Sequence, residues 1–189
     1  MIEIEMRGRL TANSAATLRK YFRKFGRYLE THTREQILLF DYPGYNDDPT
    51  KRTVDIRLRN TDGACEIMVK KKVYAHNTAR EETSLKIQDT DLKTAQGIAK
   101  AFGCSRGMVM RRKKEIYRYK KIEWSIVSAG KQIFFFEAER RVKTKHEIAR
   151  VRESMQKEVR SLDLQIFTPQ EFHDFTKELA RKVNKKISW

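Results

Sequence analysis

The sequence predicts an α+β fold in which antiparallel strands close into a β-barrel with a polar, charged lumen, and helices cover its outer wall. Three observations lead there. Apolar and charged residues alternate strictly in several short segments, these segments follow one another at the spacing of an antiparallel meander, and amphipathic stretches lie between and after them. With 189 residues the chain can fill one sizeable core. A single domain over 1–189 is therefore expected, with a barrel core over about 1–143 and a helical segment over about 144–189.

Residues 2–10, IEIEMRGRL, place Ile2, Ile4 and Met6 on one strand face and Glu3, Glu5 and Arg7 on the other. From Asn13 to Phe25 the period changes. Ala16, Leu18, Tyr21, Phe22 and Phe25 suit a helix, with Asn13 or Ser14 as N-cap and Gly26 as stop. QILLFDYP reads as a strand ending at Pro43, and GYNDDPTKR as turn chemistry. TVDIRLR and ACEIMVKKKVY flank the turn NTDG and form a hairpin. A strand around REETSLKI precedes a helix from about Asp89 to Phe102, stopped by Gly103. Three strands follow, in MVMRRKKEIYRYKK, IEWSIVSAG and KQIFFFEAERRV. Helices are expected over roughly 144–162 and 169–184, the second opened by Thr168 and Pro169.

Hydrophobic residues make up 39% of the chain and charged residues 35%, so many charges need a place outside the core. Lys and Arg number 41 against 25 Asp and Glu, and the resulting +16 attracts polyanions such as nucleic acid, polyphosphate or nucleotides. Cys65 and Cys104 form no CxxC, which argues against a disulfide framework or structural zinc and fits a reducing compartment. The chain opens on a strand rather than an apolar leader, and no stretch approaches the roughly 20 apolar residues of a membrane span. A cytoplasmic protein without membrane association is expected.

The alternating charges decide the architecture. One strand face carries Glu3/Glu5/Arg7, then Asp55/Arg57/Arg59, Glu66/Lys70/Lys72, Arg80/Glu82, Arg112/Lys114 and Glu137/Glu139. In a closed barrel one face of every strand lines the lumen, so these charges can share a wet interior while Ile2, Ile4, Leu58 and Phe136 pack under helices. The helices at 13–25, 89–102, 144–162 and 169–184 are all expected on the outer wall. Both signs inside are mutually consistent if a metal cation and a polyanion complete the site.

These residues resemble the signatures of the CYTH, or triphosphate tunnel metalloenzyme, superfamily. Glu3-Ile-Glu5-Met-Arg7 is similar to its ExExK strand, Arg57-Leu-Arg59 to its RxR strand, and Lys70 to its next-strand lysine. Arg112-Lys-Lys114 with Tyr117 is similar to its basic strand, and Glu137-Ala-Glu139 to its late ExE strand. The resemblance spans residues 1–139 in order and implies an eight-stranded antiparallel tunnel. It further implies Mg²⁺ or Mn²⁺ held by Glu3, Glu5, Glu137 and Glu139, and phosphates held by Arg7, Arg57, Arg59, Lys70, Arg112 and Lys114. Glu3, Glu5, Arg7 and Glu82 are the expected catalytic residues, Glu82 through a second metal or the orientation of water.

The chain departs from the signature in two places. Arg7 replaces the usual Lys, keeping the charge but changing a compact ammonium into a planar fork. Ser125 stands where an acidic residue is expected, with Glu123 on the same strand face. The implied function is metal-dependent hydrolysis of inorganic triphosphate, a nucleoside triphosphate or an RNA 5′-triphosphate end. The alternatives are a class IV-type adenylyl cyclase making cyclic AMP and a non-catalytic binder of polyphosphate or RNA ends. Expected partners are a triphosphate-bearing small molecule or RNA 5′ end, in a monomer or homodimer. Asp55 and Glu66 are read as inner ion-pair partners or rim residues, Cys65 as outward-packing, and His32, His76, His146 and His173 as surface residues without ligand spacing.

Overall fold

Strict alternation becomes strand throughout the computed structural model, which describes residues 1–49, 51–73 and 79–189. Thr50 of the predicted turn, Tyr74 of the predicted hairpin strand and His76 lie outside the described residues. The strands are β1 (Ile2–Leu10), β2 (Arg27–Leu39), β3 (Val54–Thr61), β4 (Ala64–Lys72), β5 (Ala79–Ile87), β6 (Arg106–Tyr119), β7 (Ile122–Ala129), β8 (Ile133–Val142) and β9 (Lys185–Ser188). Their order is β2-β3-β4-β5-β1-β8-β7-β6, and an antiparallel β2–β6 ladder from Arg27/Arg118 to Leu39/Gly107 closes the ring. Eight antiparallel strands thus enclose a tunnel, with β9 added beside the start of β6. The β3–β4 hairpin turns at Asp62-Gly63, both at positive φ, the geometry whose twist suits a two-residue hairpin.

Three helices cover the outer wall as expected. Helix α1 (Ala12–Phe25) buries Ala15, Leu18 and Phe22 in the cluster that includes Ile4 of β1, Trp124 of β7 and Phe136 of β8. Its N-cap is Thr11, in a reciprocal capping box with Ser14, rather than Asn13 or Ser14. Helix α2 (Leu92–Ala101), capped by Asp91, lays Ala95 and Ala99 in a cluster with Ile37 and Leu58. Helix α3 (Ile148–Ser161) follows a short 3₁₀ turn and adds Val151, Met155 and Val159 to the first cluster.

The fourth helix departs from expectation. Helix α4 (Pro169–Lys182) has the predicted Thr168 cap and Pro169 start, but Phe175 and Leu179 pack on Val127, Ala129, Ile133 and Phe135. Phe135 shares the inward strand face with Glu137, so α4 sits against the inner wall at one end of the tunnel, not outside it. The physical reason is that Phe134, Phe135 and Phe136 make both faces of β8 apolar, and the inner face also needs cover. The connecting segment reaches that end by crossing over β1, where Phe167 N–H donates to the Arg7 carbonyl at 2.8 Å. Gly8 permits the crossing, since a Cβ there would lie 1.8 Å from the Gln165 carbonyl oxygen. Beyond α4 the chain is extended, and Lys185 and Lys186 belong to β9.

Candidate functional site

The inward strand faces line one cavity of about 680 Å³, and every residue the sequence assigns to the site is on its wall: Glu3, Glu5, Arg7, Arg57, Arg59, Lys70, Glu82, Arg112, Lys114, Glu137 and Glu139. Period-2 geometry on six strands brings together residues up to 136 positions apart in the chain. They segregate into an acidic and a basic side.

On the acidic side, Glu5, Glu137 and Glu139 each place a carboxylate oxygen within 4.8 Å of the other two. The register produces this: Glu5 is the cross-strand partner of Glu139, and Arg7 that of Glu137. Burial, reinforced by Glu3, Glu5 and Glu137 and opposed by Lys114, pushes the Glu139 carboxyl up to about 8. Burial alone would also raise Glu137, but Lys114 and Arg7 outweigh it and hold Glu137 well below the usual carboxylate range. Arg7 Nε donates to Glu137 Oε1 at 3.0 Å, and the Lys114 ammonium pairs with Glu137 Oε2.

Glu3 stands beside this group. Lys70 Nζ donates to Glu3 Oε1 at 3.1 Å and also pairs with Glu82. Burial, with Glu5 and Glu82, raises the Glu3 carboxyl despite Lys70, whereas Lys70 and a hydrogen bond from Glu3 overcome burial and bring Glu82 to about 2. The shared Lys70 thus leaves the two carboxyls shifted in opposite directions, Glu3 upward and Glu82 downward.

The basic side is built around Asp55. Its Oδ1 accepts from Arg52 Nη1 at 3.1 Å, and its Oδ2 from Arg57 Nη2 at 2.7 Å and Arg80 Nη1 at 2.9 Å. These arginines overcome burial and keep Asp55 ionised, far below its ordinary range. Arg59 donates to Glu66 Oε1 at 2.9 Å, which makes Glu66 an ion-pair partner of the tunnel wall. Burial, followed by repulsion from Arg34 and Arg57, lowers Arg59 to about 10. Arg112, buried and repelled by Arg57 and Arg7, is also lowered to about 10, and its guanidinium is held by the Asn184 side chain at 2.7 Å and the Arg111 carbonyl at 2.7 Å. Both stay cationic at neutral pH, in surroundings that favour an added anion.

Arg34, Arg52, Arg80, His32 and Asn184 also line the cavity. Arg80 carried the alternation signal, whereas Arg52 and Asn184 come from irregular chain that has none. His32 corrects its surface assignment, being 6% exposed within β2, which begins at Arg27 rather than at Gln36. His173 is half-buried on α4, with Nδ1 3.3 Å from Asp48 Oδ1, whereas His146 is exposed as expected. Ser125 is buried opposite Glu137, and Glu123, on the cavity wall opposite Glu139, accepts from Arg118 Nη2 at 2.9 Å.

Comparison of the sequence with protein-family models and with curated proteins gives no match. Solved structures do match. The PH1819 protein of Pyrococcus horikoshii superposes with a TM-score of 0.74 at 19% identity, covering 93% of this chain and 99% of that one. A candidate adenylyl cyclase of Hippeastrum with a dominant triphosphatase activity superposes at 0.57 and 17% identity, over 88% and 90%. The fold is that of the CYTH, or triphosphate tunnel, proteins. A chain of the Schizosaccharomyces pombe Mediator head module also matches, at 0.63 and 10% identity over 88% and 98%. These likenesses show the fold alone, and function must be argued from the tunnel's side chains. No helix among the described residues is long and apolar enough to cross a membrane.

Proposed function

We propose that the chain is a metal-dependent triphosphatase that cleaves a phosphoanhydride bond within its tunnel. The carrying observation is the trio of buried Glu137 and partly buried Glu5 and Glu139, with oxygens within 4.8 Å of one another, in the same cavity as repelling arginines. The trio fits a hard divalent cation. Its donors are all carboxylate oxygens, and the Glu139 carboxyl is raised to about 8 by burial and then by the neighbouring Glu3, Glu5 and Glu137, a cost that a bound cation would offset. Mg²⁺ or Mn²⁺ would be held by Glu5, Glu137 and Glu139 with Glu3 adjacent, and when bound would supply charge neutralisation of phosphate oxygens.

The chain's own residues do the rest. Arg57, Arg59 and Arg112 can bind phosphate oxygens bidentately, and doing so relieves their mutual repulsion. Arg57 already has one edge on Asp55, and its Nε has no partner among the described residues. Arg7 and Lys114, both bonded to Glu137, orient that carboxylate rather than meeting phosphate first. The Lys70–Glu3–Glu82 group offers two carboxylates held by one ammonium for positioning the attacking water.

A second reading, a non-catalytic binder of triphosphate groups, draws on Ser125, whose buried hydroxyl replaces the carboxylate expected opposite Glu137. One experiment separates the readings. Purified protein is offered inorganic triphosphate, ATP and 5′-triphosphorylated RNA with Mg²⁺ or Mn²⁺, and all products are identified. Orthophosphate release supports hydrolysis, pyrophosphate with cyclic AMP supports cyclisation, and tight binding without turnover supports the binder. Turnover unaffected by Glu5→Gln or Glu139→Gln sinks the metal site.

A further inference from the structure

His32 is a tunnel-wall residue that the hydrolytic scheme leaves unused. It lies on the inward face of β2, its side chain 5% exposed, as the cross-strand partner of Lys114. The charged groups around the ring are Arg34 and Glu30 on β2 and Lys114 on β6. Nδ1 lies 3.4 Å from Glu30 Oε1, so in the neutral ring the proton belongs on Nδ1 and the lone pair on Nε2. Nε2 has no hydrogen-bond partner among the described residues.

Leaving a buried acceptor unpaired costs free energy, and packing an imidazole between two cations gains nothing for the scaffold. The position does suit an anion. Burial, followed by Arg34 and Lys114, lowers the ring's proton affinity, and phosphate oxygens between the same cations would cancel their field. The imidazolium would then have two acceptors, Glu30 on Nδ1 and phosphate on Nε2.

We propose that His32 is a further phosphate-binding residue, neutral in the free tunnel, which takes a proton from solvent when a triphosphate binds and donates Nε2–H to a phosphate oxygen. This deepens the reading of the tunnel as a triphosphate site and rests on it. The consequence is binding linked to proton uptake, and affinity that falls as pH rises through the range in which the bound imidazolium deprotonates.

The test uses an imido-bridged triphosphate, which resists hydrolysis, titrated calorimetrically into wild type and His32→Gln with Mg²⁺ and with chelator. Each titration is run in two buffers of different ionisation enthalpy. Comparing the two proteins removes the ligand's own protonation. Wild type should take up more protons than His32→Gln, by up to about one per site, and bind about tenfold more tightly. In turnover His32→Gln should raise KM about tenfold and change kcat less than twofold, and His32→Lys should restore KM without restoring proton uptake. Equal proton uptake in wild type and His32→Gln overturns the role of His32 alone. Absence of binding by wild type in either condition overturns the tunnel reading beneath it. Should His32→Gln misfold, a protein with His76, His146 and His173 replaced by Gln leaves one imidazole for NMR. Its titration must move upward on adding the analogue, and an unmoved midpoint refutes the proposal.

Discussion

Glu5 and Glu139 face each other as cross-strand partners on β1 and β8, two like charges on the inner wall of the tunnel. Such a pair is unfavourable in an ordinary sheet. Here burial, with Glu3, Glu5 and Glu137 adding to it, raises Glu139 to about 8 and gives the first prediction a definite sign. Divalent metal competes with the proton on Glu139, so Mn²⁺ or Mg²⁺ affinity should rise about tenfold per pH unit below about 8 and level off above it. Without metal, a carboxyl whose folded pKa is raised costs stability. The cost is absent below the unfolded value of about 4.3, grows as pH climbs, and is complete above about 8. Glu139→Gln should therefore stabilise the metal-free protein most at alkaline pH and abolish the rise in melting temperature on adding metal. Thermal melts across pH with Mn²⁺ or chelator decide it, and a metal shift that survives in Glu139→Gln counts against the site.

Asp55 predicts the opposite dependence. Three arginine contacts hold it ionised in the interior, so its stabilising contribution is present above the unfolded pKa of about 3.9 and is lost as pH falls below it. Asp55→Asn leaves Arg52, Arg57 and Arg80 without their shared carboxylate and should cost about 3 kcal/mol at pH 7 in chemical denaturation. Triphosphate should raise the melting temperature of Asp55→Asn by more than that of wild type, because the ligand supplies the missing negative charge.

The tunnel was legible in the sequence where one face of a strand was apolar and the other charged. The alternations of β1, β3 and β4 assigned Glu3, Glu5, Arg57, Arg59 and Lys70 to one interior before any contact was known. The start of β2 was not legible. Thr31, Thr33 and Glu35 face outward where no helix covers them, so Glu30, His32 and Arg34 alternate with polar residues and the period-2 signal vanishes. Phe134-Phe135-Phe136 hid the inward turn of α4 for the converse reason, since a strand apolar on both faces does not say which one a helix will cover.

Arg112 should separate binding from stability. Burial and repulsion from Arg57 and Arg7 lower its proton affinity, and its hydrogen bonds go to Asn184 and a backbone carbonyl. Replacing a buried cation by an apolar residue of similar volume is often neutral or stabilising. Arg112→Met is expected to match wild type or exceed it by about 1 kcal/mol in denaturation, while KM for triphosphate rises at least about tenfold. A variant that loses stability but keeps its KM would remove Arg112 from the phosphate site.

Gly8 tests how α4 is held against the inner wall of the tunnel. The segment between α3 and α4 crosses β1 there, and an added Cβ would meet Gln165 backbone oxygen at 1.8 Å and the Phe136 ring at 2.5 Å. A backbone atom cannot swing aside like the tip of a side chain. Gly8→Ala should therefore cost about 2 kcal/mol through overpacking and lift the crossing segment. The strain falls next to the bond from Phe167 N–H to the Arg7 carbonyl, and Phe167 packs on Phe175 of α4 with ring centroids 4.9 Å apart. The effect should thus reach the inner-wall cluster of Phe135, Phe175 and Leu179 as well as the outer core at Phe136. Hydrogen exchange should show its largest loss of protection over 162–182 and a smaller one in α1 and α3, which pack in the cluster of Phe136, while metal binding at Glu5, Glu137 and Glu139 is retained. Uniform loss of protection across the chain would instead mean that the crossing is part of the global core rather than a separable closure.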